Sequence, residues 1–178
     1  MLASQVSFRE CPNCRIMYNI MEYCTFYNGK VYTFEVCGPC QETIRLETHK
    51  QKLIANAEHD LKQSLSGAIK GSLTVLGYPY NGDVFNYLSY TPHDLKNHIE
   101  KQFEPWMAWW NRGRYIVNHW NDNDPATWKW QIDHIIPRST FQYASMADDD
   151  FHECWSLSNL RPLSAKQNLL DGTRRTRH

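Results

Sequence analysis

Residues 130–141, WQIDHIIPRSTF, set a carboxylate and an imidazole side by side, Asp133 and His134. Their neighbours Trp130, Ile132, Ile135 and Ile136 are apolar or aromatic, so the run reads as a buried strand that Pro137 stops. An unpaired neutral polar group in apolar surroundings costs roughly 2–7 kcal/mol, so both residues need partners. Two asparagines further on supply candidates. Asn159 sits in a turn between Leu157 and Leu160, and Asn168 lies in the body of a short helix, where asparagine is a mediocre choice. With that helix packed across the strand, Asn168 comes opposite Asp133 and the two offer oxygen ligands to one cation. Two oxygens with open positions suit a hard, partly hydrated ion such as Mg2+ (or Mn2+) that also binds phosphate. His134 then serves as a neutral general base on water, since an unperturbed imidazole titrates at about 6.5. Asn159 holds the imidazole through its ring or its backbone. Asp133 and His134 alone read as a satisfied buried pair; the set of four points to a site.

A second constellation is metallic in a different way. Cys11 and Cys14 form CPNC, Cys37 and Cys40 form CGPC, and the 22 residues between the pairs fit a hairpin. Four thiolates complete a closed tetrahedral Zn2+ site with no position left for water, so the zinc would be structural. The β-prone runs RIMYNIMEYC and KVYTFEV flank Asn28-Gly29, a strong hairpin turn signal. The strand, CGPC and following helix also resemble a thioredoxin redox motif, but no βαβ frame precedes them and the other CxxC pair would have no role. Cys24 and Cys154 read as small buried residues.

The elements that must position these groups follow from composition and punctuation. At 178 residues the chain is long enough for one domain and a small stapled module. Lys+Arg and Asp+Glu balance at 19 each, so no global basic field announces a nucleic-acid partner. From Arg161 onward, however, Arg161, Lys166, Arg174, Arg175 and Arg177 outnumber Asp171 by four charges, while Asp148, Asp149, Asp150 and Glu153 crowd just upstream. The basic end reads as a solvated tail or as a set of phosphate contacts. The acidic run reads as a solvated loop or helix start. No apolar run approaches the roughly 20 residues of a membrane span, and the start MLASQVSFRECPNC lacks a signal-peptide pattern. The sequence thus reads as that of a protein of a reducing cytoplasm. Residues 41–70 read as one helix with a large solvent face, and Gly71, Gly77, Pro79 and Gly82 as a joint. Thr91, Pro92 and Asp94 start a further helix that carries Leu95, Ile99 and Phe103 on one stripe. The tryptophans at 106, 109, 110, 120, 128 and 130, interleaved with Arg112 and Arg114, read as core rather than as base-stacking platforms. Ser164 with Gln167 gives a capping box and Gly172 an end for the last helix.

The strand-and-helix layout around Asp133, with IDHIIP and NLRPLSAKQN as its two motifs, resembles the catalytic core of the HNH endonuclease superfamily. The variant is Asp-His…Asn…Asn, with Asn168 in place of the last His of the name-giving motif. YTPHDLKNHIEKQFEPWMAWWNRG and ECWSLSNLRPLSAKQNLLDG are similar in order and wording to phage-borne members, and resemblance spans residues 61–172. It implies metal-dependent hydrolysis of DNA phosphodiesters, with His134 as base, Asp133 and Asn168 as ligands and Asn159 as the orienting residue. The family's usual Glu-Asn after the Trp is here Trp110-Asn111. The fold class expected is α+β: a zinc ribbon over 1–42, a helical linker over 43–80, and a ββα-metal nuclease domain with a basic tail over 81–178. The expected partner is double-stranded DNA, held by Arg138, Arg161, Lys166, Arg174, Arg175 and Arg177. A DNA-binding or assembly protein that uses the core as a scaffold, and an RNase, are the alternatives.

Overall fold

The computed structural model describes residues 7–78, 80 and 82–175, with side chains for all of these except Phe26, Thr173, Arg174 and Arg175. The chain divides into two units, residues 1–52 and 53–178.

The first unit holds two small antiparallel hairpins. Strands β1 (Phe8–Glu10) and β2 (Met17–Asn19) flank the CPNC turn. That turn is closed by Arg15 N–H to the Cys11 carbonyl (2.8 Å) and Cys11 N–H to the Ile16 carbonyl (2.9 Å). Strands β3 (Cys24–Tyr27) and β4 (Lys30–Thr33) pair across Asn28-Gly29. Both turn residues have positive φ (48° and 72°), as the tight hairpin turn demands. The run expected as one strand, RIMYNIMEYC, is broken. Asn19 Oδ1 accepts from Met21 N–H at 3.0 Å and opens a 3-10 turn over Ile20–Tyr23, so the expected single hairpin is two. The interior consists of Cys11, Tyr23, Cys37 and Cys40, with Cys14, Tyr18 and Val36 against them. That is too little apolar surface to hold a module without a staple.

Helix α1 (Gly38–Ala55) begins on the CGPC motif. The helix expected over 41–70 ends at Asn56, and a new one, α2 (Ala57–Val75), carries on. Expected as linker with a solvent face, α2 instead buries Leu61, Leu65, Ile69 and Leu73, one residue per turn, in the core of the second unit. It packs on α3 (Pro92–Glu100), which buries Leu95 and Ile99. The start of α3 matches expectation: Thr91 and Asp94 form a capping box with Pro92 at the first position.

The second unit carries a two-stranded antiparallel sheet, β5 (Trp130–His134) on β6 (Leu160–Ser164), and β6 runs straight into α5 (Ala165–Arg175), which packs on both strands. The short helix α4 (Asp149–Cys154) lies on the connection between them and takes in three of the four crowded acids, Asp149, Asp150 and Glu153. Trp130, Trp155, Phe151 and Leu160 are fully buried, and Phe103, Trp109 and Trp130 meet edge-on or tilted at 4.8–5.4 Å. Tryptophan is core here for the most part; Trp110 is 43% exposed. Among the described residues no helix is long and apolar enough to cross a membrane. The whole is a mixed fold of small hairpins and helices with one cysteine cluster.

Candidate functional site

A cleft of about 830 Å³ opens in the second unit beside β5. Gln131, Asp133 and His134 line it from the strand, Asn168 from α5, Asp60 from α2, and Arg112, Arg114 and Arg138 from loops. The register fixes what reaches it. Asp133 pairs across the sheet with Arg161, and His134 with Leu160. Arg161 donates to Asp133 Oδ2 from Nη2 (3.0 Å) and Nε (3.2 Å), so one oxygen takes both bonds. Asn168 donates from Nδ2 to Gln131 Oε1 at 2.9 Å, which turns its own carbonyl oxygen away from that contact. Asp133 is buried, and Arg161 is the counter-charge it pairs with.

The imidazole of His134 meets the ring of Trp155 edge-on, 4.7 Å between centroids and 77° between planes. Trp155 is itself fixed: its indole N–H donates to Tyr143 Oη (3.2 Å), and its carbonyl accepts from Tyr90 Oη (2.7 Å). Tyr143 in turn contacts Ser72 Oγ at 3.1 Å on α2. Burial pushes the Tyr90 phenol well above its ordinary range, so it stays a donor.

Asn159 does not reach the imidazole ring by any hydrogen bond of its side chain. Its Oδ1 accepts from Ile136 N–H (2.7 Å), and its Nδ2 donates to the carbonyls of Cys154 (2.9 Å) and Ile136 (3.2 Å). Its own carbonyl accepts from Ile135 N–H at 2.9 Å. The residue thus ties the chain just past His134 to the end of α4, a hold on the backbone rather than on the ring.

The last helix departs from its expected punctuation. The Ser164 cap bond to Gln167 N–H is long (3.5 Å), and the Gln167 side chain donates forward to Asp171 (2.6 Å) instead of back to the cap. Gly172 lies inside α5 rather than past its end.

Of the basic residues expected to hold DNA, Arg138 lines the cleft. Arg161 is engaged with Asp133, and Lys166 donates to Asp122 at 2.7 Å. That bond to Asp122 raises Lys166 and lowers its partner. The side chains of Arg174 and Arg175, and Arg177 altogether, lie outside the described residues. Sequence reasoning missed Asp60 and Trp155 as parts of this region, and it set Arg112 and Arg114 aside together with the tryptophans around them.

The first unit holds the other candidate centre. The sulfurs of Cys11, Cys14, Cys37 and Cys40 lie within 4.8 Å of one another, and Cys14 and Cys37 stand 3.8 Å apart. A tetrahedron with Zn–S bonds of about 2.3 Å has edges of about 3.8 Å, so the cluster could hold a metal such as zinc. Cys37 N–H points at Cys11 Sγ (3.4 Å). Burial works against ionising Cys11, but the backbone N–H groups of Cys37, Cys14 and Asn13 outweigh it and bring the thiol down, while burial pushes Cys37 up. All four thiols are free of disulfides.

No protein-family model matches the chain, and no solved structure matches it significantly. Among curated proteins it is similar to uncharacterized protein L426 of Acanthamoeba polyphaga mimivirus, at 28% identity over 89 residues. That stretch is 50% of this chain and 32% of the relative, so the chain spans about a third of the viral protein's length.

Proposed function

We propose that the second unit is a metal-dependent DNA endonuclease of the HNH type, hydrolysing phosphodiester bonds with His134 as general base. The observation that carries the reading is the convergence of Asp133, His134 and Asn168, from β5 and α5, on one cleft that also bears three arginines. Asp133 Oδ1 and the Asn168 carbonyl oxygen take none of the hydrogen bonds described, and two hard oxygens suit a Mg2+ or Mn2+ ion. Such a cation would neutralise charge on the phosphate when bound. The chain's own part is proton and position. His134, seated on Trp155, takes a proton from water as the water oxygen bonds to phosphorus and the bond to the leaving sugar oxygen breaks. Asn159 acts as a positioning residue through the Ile135–Ile136 backbone. The first unit would be a zinc ribbon with a structural role.

The test is a supercoiled plasmid incubated with Mg2+ and, separately, without it. Nicked or linear product in the first case only, and its loss in His134→Ala, is the expected result. No cleavage of plasmid by the wild type with either Mg2+ or Mn2+ overturns the proposal. One observation favours a second reading, in which the core is a DNA-binding scaffold: Arg161 already neutralises Asp133. In that case the plasmid is bound and never cut.

A further inference from the structure

Arg112 is a cation in an unusual setting. Its backbone is pinned to the start of β5, by a bridge to Trp130 and by Gly113 N–H to the Trp130 carbonyl (2.9 Å). The turn before it, Trp109–Asn111, is braced by buried Asn111, which accepts from Ala108 N–H and donates to the Trp106 carbonyl, both at 2.8 Å. The guanidinium therefore starts from a fixed point and lines the cleft with Asp133, His134 and Asn168. Among the described residues it has no carboxylate at ion-pair distance and donates no hydrogen bond, unlike Arg161. Burial lowers its pKa and the charge of Asp60 partly offsets this, yet a guanidinium stays charged at any working pH.

A partly desolvated cation with no bonded partner is costly, and the cost is recovered when an anion arrives. The surroundings say which sort. Arg114 and Arg138 line the same cleft, and of its two carboxylates Asp133 is already matched by Arg161. The cleft thus favours an anion with several oxygens. A planar guanidinium fork fits the two non-bridging oxygens of a phosphodiester.

We infer that Arg112 is a phosphate clamp: it binds the non-bridging oxygens of a backbone phosphate of the DNA strand that enters the cleft. This deepens the nuclease reading and rests on it for the identity of the strand.

The experiment uses the full chain and a fluorescein-labelled DNA duplex, with polarisation read without Mg2+ across a salt series. Arg112→Gln should weaken binding by on the order of tenfold or more. It should also flatten the log K against log salt slope by about 0.9, one phosphate contact. Arg112→Lys should keep the slope and lose part of the affinity. Asp60→Asn, on a solvent-facing helix position, should tighten binding. Wild-type affinity and slope in Arg112→Gln overturn the clamp. If that variant does not fold, unchanged affinity in Asp60→Asn overturns it. A wild type that binds duplex without cutting, with Arg112→Gln weakened, keeps the clamp and removes the nuclease reading. A wild type that binds no duplex removes both.

Discussion

Asp133 and Arg161 face each other across the β5–β6 sheet, and both guanidinium bonds land on the same carboxylate oxygen. The pair gives a buried acid its counter-charge while leaving Oδ1 outside the bonded set, and it sets a competition between arginine and any cation. Arg161→Ala should cost about 1–3 kcal/mol of stability, because it strands a buried carboxylate. The same variant should bind Mn2+ more tightly than the wild type, since the competing positive charge is gone. Urea denaturation and titration calorimetry read the two effects. Unchanged Mn2+ affinity would remove Asp133 from the ligand set.

Base and ligand should separate kinetically. His134→Ala should cut cleavage on the order of 10²–10⁴-fold with no rescue by added metal, because no cation replaces a proton acceptor. Asp133→Ala and Asn168→Ala should be partly rescued by excess Mg2+ or Mn2+, the neutral Asn168 ligand more readily. The measurement is rate against metal concentration for the three variants. Equal rescue of all three sinks the assignment.

Asn159→Ala removes three buried or partly buried hydrogen bonds that tie the backbone after His134 to the end of α4. A loss of about 2–4 kcal/mol follows from roughly 1 kcal/mol per bond and the desolvated groups left behind. Chemical denaturation should show it, with cleavage slowed and metal affinity unchanged. An orienting contact to the imidazole ring alone would have left stability near the wild-type value.

For the cysteine cluster, elemental analysis should find about one zinc per chain. Cys37→Ser should lower zinc content and the melting temperature of residues 7–52 before it alters plasmid cleavage. Normal folding after full zinc removal by a chelator would contradict a structural metal.

Acid should destabilise the protein through identifiable carboxylates. Asp83 beside Lys62, Asp94 under the Thr91 backbone N–H, and Asp148 under Ser145 are each held below the usual range. The unfolded chain therefore binds more protons than the folded one as pH falls through about 4. Stability from these groups is present above that pH and is lost as pH drops through their folded values. Urea midpoints from pH 6 to pH 3 should fall, and Asp94→Asn should flatten part of that slope.

Legibility in the sequence tracked how local each signal is. The four cysteines, the Asn28-Gly29 turn and the Thr91 capping box depend on neighbours in the chain, and each appears in the structure as its spacing indicates. The break of the first long β-prone run was also local: Asn19 caps its own turn, a habit of asparagine that β propensity hides. Helix α2 misled because its polar residues outnumber its apolar ones, although a single Leu or Ile per turn is enough to seat it. Of the cleft arginines, Arg138 was singled out from the sequence, whereas the setting of Arg112 was beyond local reading. Whether an arginine meets a carboxylate at ion-pair distance, as Arg161 does, or none among the described residues, as Arg112, is decided by pairing across residues far apart in sequence.

The two-stranded sheet has a consequence for how the chain is born. A lone pair of strands is marginal in water, and β5 has β6 as its only full partner among the described residues. The residues that meet at the cleft leave the ribosome in the order 60, 112, 133, 168. Until residues 160–164 emerge, Trp130–His134 lacks its strand partner and leaves its backbone edges open to pairing with other chains. The cleft therefore closes only once residues 160–168 are free to pair and pack, so a variant that weakens the β5–β6 pairing should raise aggregation on refolding by dilution from urea.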